Sequence, residues 1–352
     1  MTSMQQELPE RAQRWVCAAL GEGTRITSVR PLAGGISSLV HLLAVENGAA
    51  RCELVLRRFD NARWLREEPE LAEHEAASLA LAQRCGVGAP RAVAYDTSGA
   101  GCGMPAVLMT KVEGENVLRP VDLPSWLDEL ARTLAAIHRS DADRIDADGG
   151  ARADCQPDDA ESERPDAGIS DVRPSRVGAG DADARSFRWR YFTYVDLTRQ
   201  PDLSWSAAPA RWQAALARVR GPRPEPQLRF IHCDYHAANV LWHGGRICAV
   251  VDWVNACIGP VGVDVGHCRV DLAQLHGVAA ADLFLEAYVR HAGPDFRYEL
   301  YWDLLSAIDV LEDAPGVYGG WAALGVTDLT PQLVRGRLDA YVASLLARAE
   351  ED

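Results

Sequence analysis

Hydrophobic periodicity changes character once along this 352-residue chain, and that change limits what the chain can fold into. Up to about residue 115 the apolar residues come in short runs: Ile26–Val29, Leu39–Val45, Leu54–Phe59, Pro90–Tyr95 and Pro105–Lys111. Runs of this length bounded by turn residues read as strands. Asn47-Gly48 is a strong reversal signal, so 39–45 and 54–59 are expected to form an antiparallel hairpin, and Gly101-Cys102-Gly103 marks another turn. Helical spacing appears at Leu8, Ala12, Trp15, Val16 and Ala19, and again over 67–85. Beyond 115 the helical period takes over. Trp126, Leu127, Leu130, Leu134 and Ile137 share one face of 124–139, residues 209–219 look helical, and 264–350 is helical with breaks near 277, 293, 315 and 331. The expectation is an α+β chain in which a small antiparallel sheet with a packed helix precedes a mainly helical region.

At ~150 residues per domain the length allows about two domains. A content of 48% hydrophobic and 24% charged residues is that of a globular chain. The net charge of −14 repels phosphate backbones, so no nucleic-acid partner is expected. Aromatics interleave with Arg188 and Arg190 between Phe187 and Tyr194, and at this acidity they are read as packing a helix. Nine scattered cysteines without a Cys-x-x-Cys spacing indicate neither a disulfide framework nor a zinc ribbon, and they suit a reducing cytosol. With no basic, apolar leader and no long apolar run, a cytoplasmic chain that does not enter a membrane is expected, as a monomer or homodimer. Residues 141–185 hold eleven Asp and two Glu against six Arg and have no aromatic residue. They read as an acidic inserted loop, either a solvated spacer or a lid over a substrate.

Chemistry is concentrated in Phe230-Ile-His-Cys-Asp-Tyr-His-Ala-Ala-Asn-Val-Leu-Trp242 and, after Gly244-Gly245, in Ile247-Cys-Ala-Val-Val-Asp-Trp253. Arg229–His232 and Ile247–Val251 are strand-like, and a hairpin with a Gly-Gly tip would bring Asn239 near Asp252. An amide and a carboxylate together suit Mg²⁺, which takes oxygen ligands and only one or two acids. Asp234, five residues before Asn239, could orient an attacking hydroxyl.

His232-x-Asp234-x-x-x-x-Asn239 followed by Asp252-Trp253 resembles the catalytic and metal loops of the aminoglycoside phosphotransferase family, the antibiotic kinases of protein-kinase-like fold. The resemblance implies that Asp234 is the catalytic aspartate and that Asn239 and Asp252 bind magnesium. It also implies two lobes, a nucleotide-binding N-lobe over 1–115 and a C-lobe over 116–352, with nucleotide between them. Cys233 departs from the Gly of many members, and Ile258-Gly259-Pro260 from their Gly-Asp-Pro, while Asp264 falls at a structural aspartate position. Arg57 would then stand where a cation meets the α/β-phosphates. Glu75, on the apolar stripe between Leu71 and Leu79, would be its partner, although a structural ion pair is the other reading. Gly35, Ser37 and Ser38 form a turn suited to phosphates, and Met109, Thr110, Lys111 and Val112 resemble the hinge that pairs with a purine. His236 and the acids Asp303, Asp309, Glu312 and Asp313 are candidates for an acceptor site, the acids being equally readable as a solvated helix face.

The reaction implied is transfer of the γ-phosphoryl group of ATP or GTP, with Mg²⁺, to a hydroxyl of a small molecule. The favoured acceptor is an antibiotic (an aminoglycoside, a macrolide or a nucleoside such as a capuramycin), giving resistance. A metabolic kinase of an amino alcohol or sugar is the alternative. A catalytically silent nucleotide-binding protein is a third reading. A metallohydrolase using His232-x-Asp234-x-His236, with His267, Cys257 and Cys268 nearby, is a fourth, and it leaves Asn239 and Asp252 unexplained.

Overall fold

The computed structural model describes residues 7–32, 38–139, 190–311 and 314–351. The chain divides into two compact units. Among the described residues the first holds everything up to Gln83 together with Pro90–Val112, and the second holds Arg84–Ala89 and everything from Glu113 on. The acidic segment 141–185, the turn residues Gly35 and Ser37, and Glu312 and Asp313 lie outside the described residues.

In the first unit five antiparallel strands form one sheet: β1 (Thr24–Pro31), β2 (Leu39–Asn47), β3 (Ala50–Arg58), β4 (Ala92–Asp96) and β5 (Ala106–Thr110), in the order β1-β2-β3-β5-β4. With the expected N-terminal helix and the helices of the second unit, this makes the fold α+β. Asn47 pairs with Ala50, so the β2–β3 turn is shifted one residue from Asn47-Gly48, and Gly48 takes the left-handed φ of +59°. Alternation along the strands sends Leu43 and Val45 of β2 and Leu54 and Leu56 of β3 to one face. There they meet Ala12, Trp15, Val16 and Ala19, the apolar stripe of α1 (Glu10–Leu20). Each large side chain buried in this way contributes roughly 1.5–3 kcal/mol.

The helix expected over 67–85 is present as Leu71–Ala82, and a separate short helix ends just before it. α2 (Ala62–Glu67) starts at Asn61, whose side chain accepts from the Arg63 and Trp64 amides, and α3 spans Leu71–Ala82. Pro69 separates the two, because a residue preceding proline is driven out of helical geometry, and Glu68 sits at φ −135° and ψ 77°. α3 packs on β4 and β5 and carries Glu75 on its buried side.

The second unit is built on helices α4 (Leu123–His138), α5 (Pro209–Val219), α6 (Val261–His276), α7 (Val278–Ala292), α8 (Leu300–Asp309), α9 (Gly319–Ala323) and α10 (Pro331–Glu351). α6 packs against α7, α8 and α10, and most of its residues are buried. Gly262 and Gly266 let it approach α8, since a Cβ at either would lie 2.2 Å from the Trp302 ring or 2.6 Å from Ser306 Oγ. Four short strands, β6 (Leu228–Ile231), β7 (Val240–His243), β8 (Arg246–Val250) and β9 (Cys257–Pro260), form two antiparallel pairs, β6 with β9 and β7 with β8. Gly244-Gly245 does cap a hairpin, but its first strand is β7, from within the polar stretch, and not 229–232. Residues 190–192 run beside β9 with Phe192 N donating to the Ile258 carbonyl at 2.9 Å, so the described end of the aromatic stretch is extended and not helical. No described helix is long and apolar enough to cross a membrane.

Candidate active site

The polar stretch is held by the β7–β8 hairpin on one side and α6 on the other. Val240 pairs with Val250, and the Val251 amide donates to the Asn239 carbonyl at 2.9 Å, so the chain enters Asp252 alongside Asn239. Between Asp234 and β7 the chain makes one tight turn, Ala237–Asn239. Asn116 clamps it from outside, its Nδ2 donating to the carbonyls of Ala238 (2.7 Å) and Val240 (3.1 Å).

On the α6 side the anchor is Asp264, with no exposed surface. Its Oδ2 accepts from the His232 amide (2.8 Å) and its Oδ1 from the Cys233 amide (2.7 Å). His138 Nε2 reaches Oδ2 at 3.0 Å, and the other ring nitrogen of His138 meets the Tyr288 hydroxyl at 2.7 Å. Burial alone would raise the Asp264 pKa, but the His138 hydrogen bond and neighbouring imidazoles hold it below the ordinary carboxylate value. His232 is buried, which disfavours its protonation, and it donates through Nε2 to the Val251 carbonyl at 2.9 Å, tying the loop to the hairpin.

Two described non-glycine residues have positive φ, Cys233 and Asp252, both at +66°. They flank Asp234 and Asn239 in space and sequence. Asp tolerates this left-handed region, whereas Cys does so only at a cost of about 1–2 kcal/mol. Here the Asp264 hydrogen bond holds Cys233 in a conformation that glycine adopts without steric cost.

Asp234 sits at the centre. Its Oδ1 lies 3.5 Å from His236 Nε2 and 3.3 Å from His267 Nε2. Asn239 Nδ2 donates to the Asp234 carbonyl at 2.9 Å and approaches Oδ2 at 3.2 Å. The amide nitrogen is thereby spent on Asp234, which leaves Oδ1 of Asn239 as the atom for a cation. Burial would push the Asp234 pKa up, yet the His267 hydrogen bond and the imidazoles of His236, His267 and His232 outweigh it, so the carboxyl is held well below its usual range. Such a carboxylate is a weak base at neutral pH and is suited to orienting a hydroxyl.

Asp234, His236 and His267 bring their side-chain atoms within 4.8 Å of one another, a grouping that could hold a metal ion. The contacts of His236 argue otherwise. Its Nδ1 accepts from the Ala238 amide at 3.2 Å and its Nε2 meets Asn239 Nδ2 at 3.2 Å, so both ring nitrogens are already engaged within the loop. His232, bonded to Val251, is not in the group at all. An oxygen set for Mg²⁺ is better met by Asn239 Oδ1 and the Asp252 carboxylate.

In the first unit Arg57 and Glu75 form a buried pair, Nη1 to Oε1 at 2.9 Å, and Arg57 Nε donates to Ser38 Oγ at 2.8 Å. A lysine cannot reproduce this fork. Arg57→Lys is expected to lower stability by about 1.5–3 kcal/mol, the worth of a hydrogen bond to a charged group, measured by urea unfolding. Met109 is buried in β5, opposite Val55 and Ala92, and Thr110 gives its amide to the Arg91 carbonyl (2.9 Å) and accepts from the Arg91 amide (2.8 Å) through its hydroxyl. Sheet pairing thus occupies both residues, while Lys111, just past the end of β5, places its Nζ 2.7 Å from Glu53.

Asp303 is not at a substrate surface. It is fully buried, paired with Arg269, and accepts from the hydroxyls of Tyr298 (2.9 Å) and Tyr341 (3.0 Å). An unpaired carboxylate could not remain there, and the Arg269 guanidinium across from it on α6 explains its burial.

Residues 28–304 match the sequence profile of the phosphotransferase enzyme family, APH. The chain belongs to that family. It is a small-molecule phosphotransferase acting on a hydroxyl group. No curated protein sequence matches it. Among solved structures, similarity is found to macrolide 2′-phosphotransferase MphH from Brachybacterium faecium, at 18% identity over 96% of this chain and 98% of that one, with a TM-score of 0.53. A thermostable mutant of aminoglycoside phosphotransferase APH(4)-Ia matches at 17% identity over 94% and 98%, with a TM-score of 0.52. Choline kinase from Cryptosporidium parvum Iowa II matches at 12% identity over 92% and 89%, with a TM-score of 0.50. At these identities the likeness is one of fold.

Proposed function

We propose that this phosphotransferase moves the γ-phosphoryl group of ATP or GTP to a hydroxyl of an antibiotic (an aminoglycoside, a macrolide or a nucleoside such as a capuramycin), conferring resistance from within the cytoplasm. The observation that carries the reading is the Asp234 loop, in which one carboxylate is ionised and oriented while Asn239 Oδ1 and the following Asp252 offer oxygen to a divalent ion. Asp234 holds the acceptor hydroxyl in line with the phosphorus, Asn239 and Asp252 hold Mg²⁺, and Arg57, steadied by Glu75 and Ser38, binds phosphate oxygens. Magnesium bound there supplies neutralisation of the charge on the transferring group. The macrolide and aminoglycoside phosphotransferases among the fold neighbours support the acceptor class.

A second reading, a kinase of amino alcohols, draws on the fold likeness to choline kinase and on Asp271 and Asp309, whose charges act on the same imidazole as Asp234 and would attract a cationic acceptor. A donor-consumption screen with ATP and GTP against aminoglycosides, macrolides, nucleoside antibiotics and amino alcohols separates the two. Consumption with the amino alcohols alone would overturn the antibiotic reading.

The metal assignment has its own test. Asp252→Asn keeps a residue that tolerates φ +66° and removes one negative charge. Calorimetry should then find magnesium's enhancement of ATP binding reduced roughly 10-fold or more. Equal enhancement in both proteins would remove Asp252 from the metal site.

A further inference from the structure

A carboxylate offers about four lone-pair positions to donors. At Asp234 two are taken: one on Oδ1, by His267 Nε2 (3.3 Å), and one on Oδ2, by Asn239 Nδ2 (3.2 Å), while His236 Nε2 stands 3.5 Å from Oδ1. His236 and Asn239 lie on the same short loop as Asp234 and move with it. His267 does not. It comes from α6, three residues after the Asp264 anchor and therefore on the same helical face, so it ties the carboxylate to the most buried helix of the unit.

We propose that His267 is a positioning residue for phosphoryl transfer: by holding Oδ1 from α6, it fixes the plane of the Asp234 carboxylate and so the direction in which Oδ2 receives the acceptor hydroxyl. The inference rests on the role given to Asp234 above. Without this donor the carboxylate could turn, and the hydroxyl could bind out of line with the phosphorus.

The groups facing His267 are Asp234 and His236 from the loop, Asp271 one turn further along α6, and Asp309 at the end of α8, with the Tyr318 ring stacked edge-on against His236. Burial would lower the His267 pKa, but the hydrogen bond and charge of Asp234, then Asp271 and Asp309, push it up to about 9. The imidazole therefore stays protonated below that pH, and the charge-assisted bond to Oδ1 weakens as pH rises through about 9.

His267→Ala and His267→Gln test the proposal, since glutamine keeps an N–H donor. Phosphate transfer is measured to the acceptor found by the screen or, where none is found, to water as magnesium-dependent ATP hydrolysis. The alanine variant should lose roughly 10- to 100-fold in kcat, the cost of a misplaced reacting group, with KM for ATP unchanged. The glutamine variant should recover most of that loss and should lack the fall in rate above about pH 9 expected of the unaltered protein. Unchanged kcat in the alanine variant would overturn the proposal, and so would equal losses in both variants accompanied by a lower Tm, which mark a purely structural residue.

Ring-carbon NMR of the histidines gives a readout free of turnover. One imidazole should titrate near 9, vanish in His267→Gln and move down in Asp234→Asn. If no histidine titrates above about pH 7.5, the ordinary upper range, the charged clamp fails even in a working kinase. If the titration is as expected but no phosphate leaves ATP or GTP, it is the phosphotransfer reading that fails.

Discussion

Asp234→Ala is expected to lower turnover by roughly 10²–10⁴-fold while ATP affinity stays within a few-fold. The split follows from what the carboxylate touches. Its Oδ1 faces the imidazoles of His267 and His236 and its Oδ2 accepts from the Asn239 amide, contacts that fix its direction. Removing it takes away the oxygen that orients the acceptor and leaves Asn239 Oδ1, Asp252 and the Arg57–Glu75 pair in place for metal and phosphate. An interaction felt mainly in the transition state lowers kcat, whereas one made equally with bound nucleotide would raise KM. Asp234→Asn should be nearly as slow, because an amide offers one acceptor oxygen to donors that now occupy two. Steady-state kinetics with nucleotide affinity measured separately decides the matter. Unchanged turnover in either variant would remove Asp234 from its assigned role.

Much of this site is local in sequence and so could be read there. Asp234, Asn239 and Asp252 lie within nineteen positions of one another, and a single hairpin with a Gly-Gly tip is enough to gather them. What could not be read is non-local. The strand at 228–231 is visible as a run, but its partner β9 lies beyond the hairpin, and nothing in either run names the other. Asp303 looks like one acid among several near a helix end, and only Arg269, thirty-four positions earlier, makes it a core residue. Pro69 carried a helix-breaking signal that the apolar spacing over 67–85 masked. His267 is the instructive miss. Asp264, His267 and Asp271 follow helical spacing and lie on one face, so the residue bonded to Asp234 was implied once Asp264 was known to hold the loop. Asn116 had no such signal, because its two carbonyl partners lie 122 and 124 positions away.

The second large effect is expected at Asp264, which touches no reacting atom in this arrangement. Asp264→Ala removes the acceptor of the His232 and Cys233 amides and the partner of His138 Nε2, all inside the protein. Stranding two buried amides and one ring nitrogen of His138 should lower stability by about 3–5 kcal/mol, the range for breaking a buried pair. A marginally stable domain can survive that loss at low temperature, so activity can still be measured on folded protein. There the second consequence should appear. Cys233 keeps its φ of +66° because its amide is bonded to Asp264, and Asp234 is the next residue. Once released, Cys233 can relax toward the ordinary regions of backbone space, which swings Asp234 away from His267. Turnover should therefore fall more than the loss of folded protein explains. The pH dependence gives an independent check. A carboxylate held below its ordinary value contributes stability that is present above about pH 3.9, its unfolded value, and lost as pH falls through the folded one. The alanine variant should lack that acid-side contribution, so its stability should vary less with pH below about 4. Urea unfolding across pH, paired with kcat on the folded fraction, tests both parts, and full turnover in the folded variant would show that the loop holds Asp234 without its anchor.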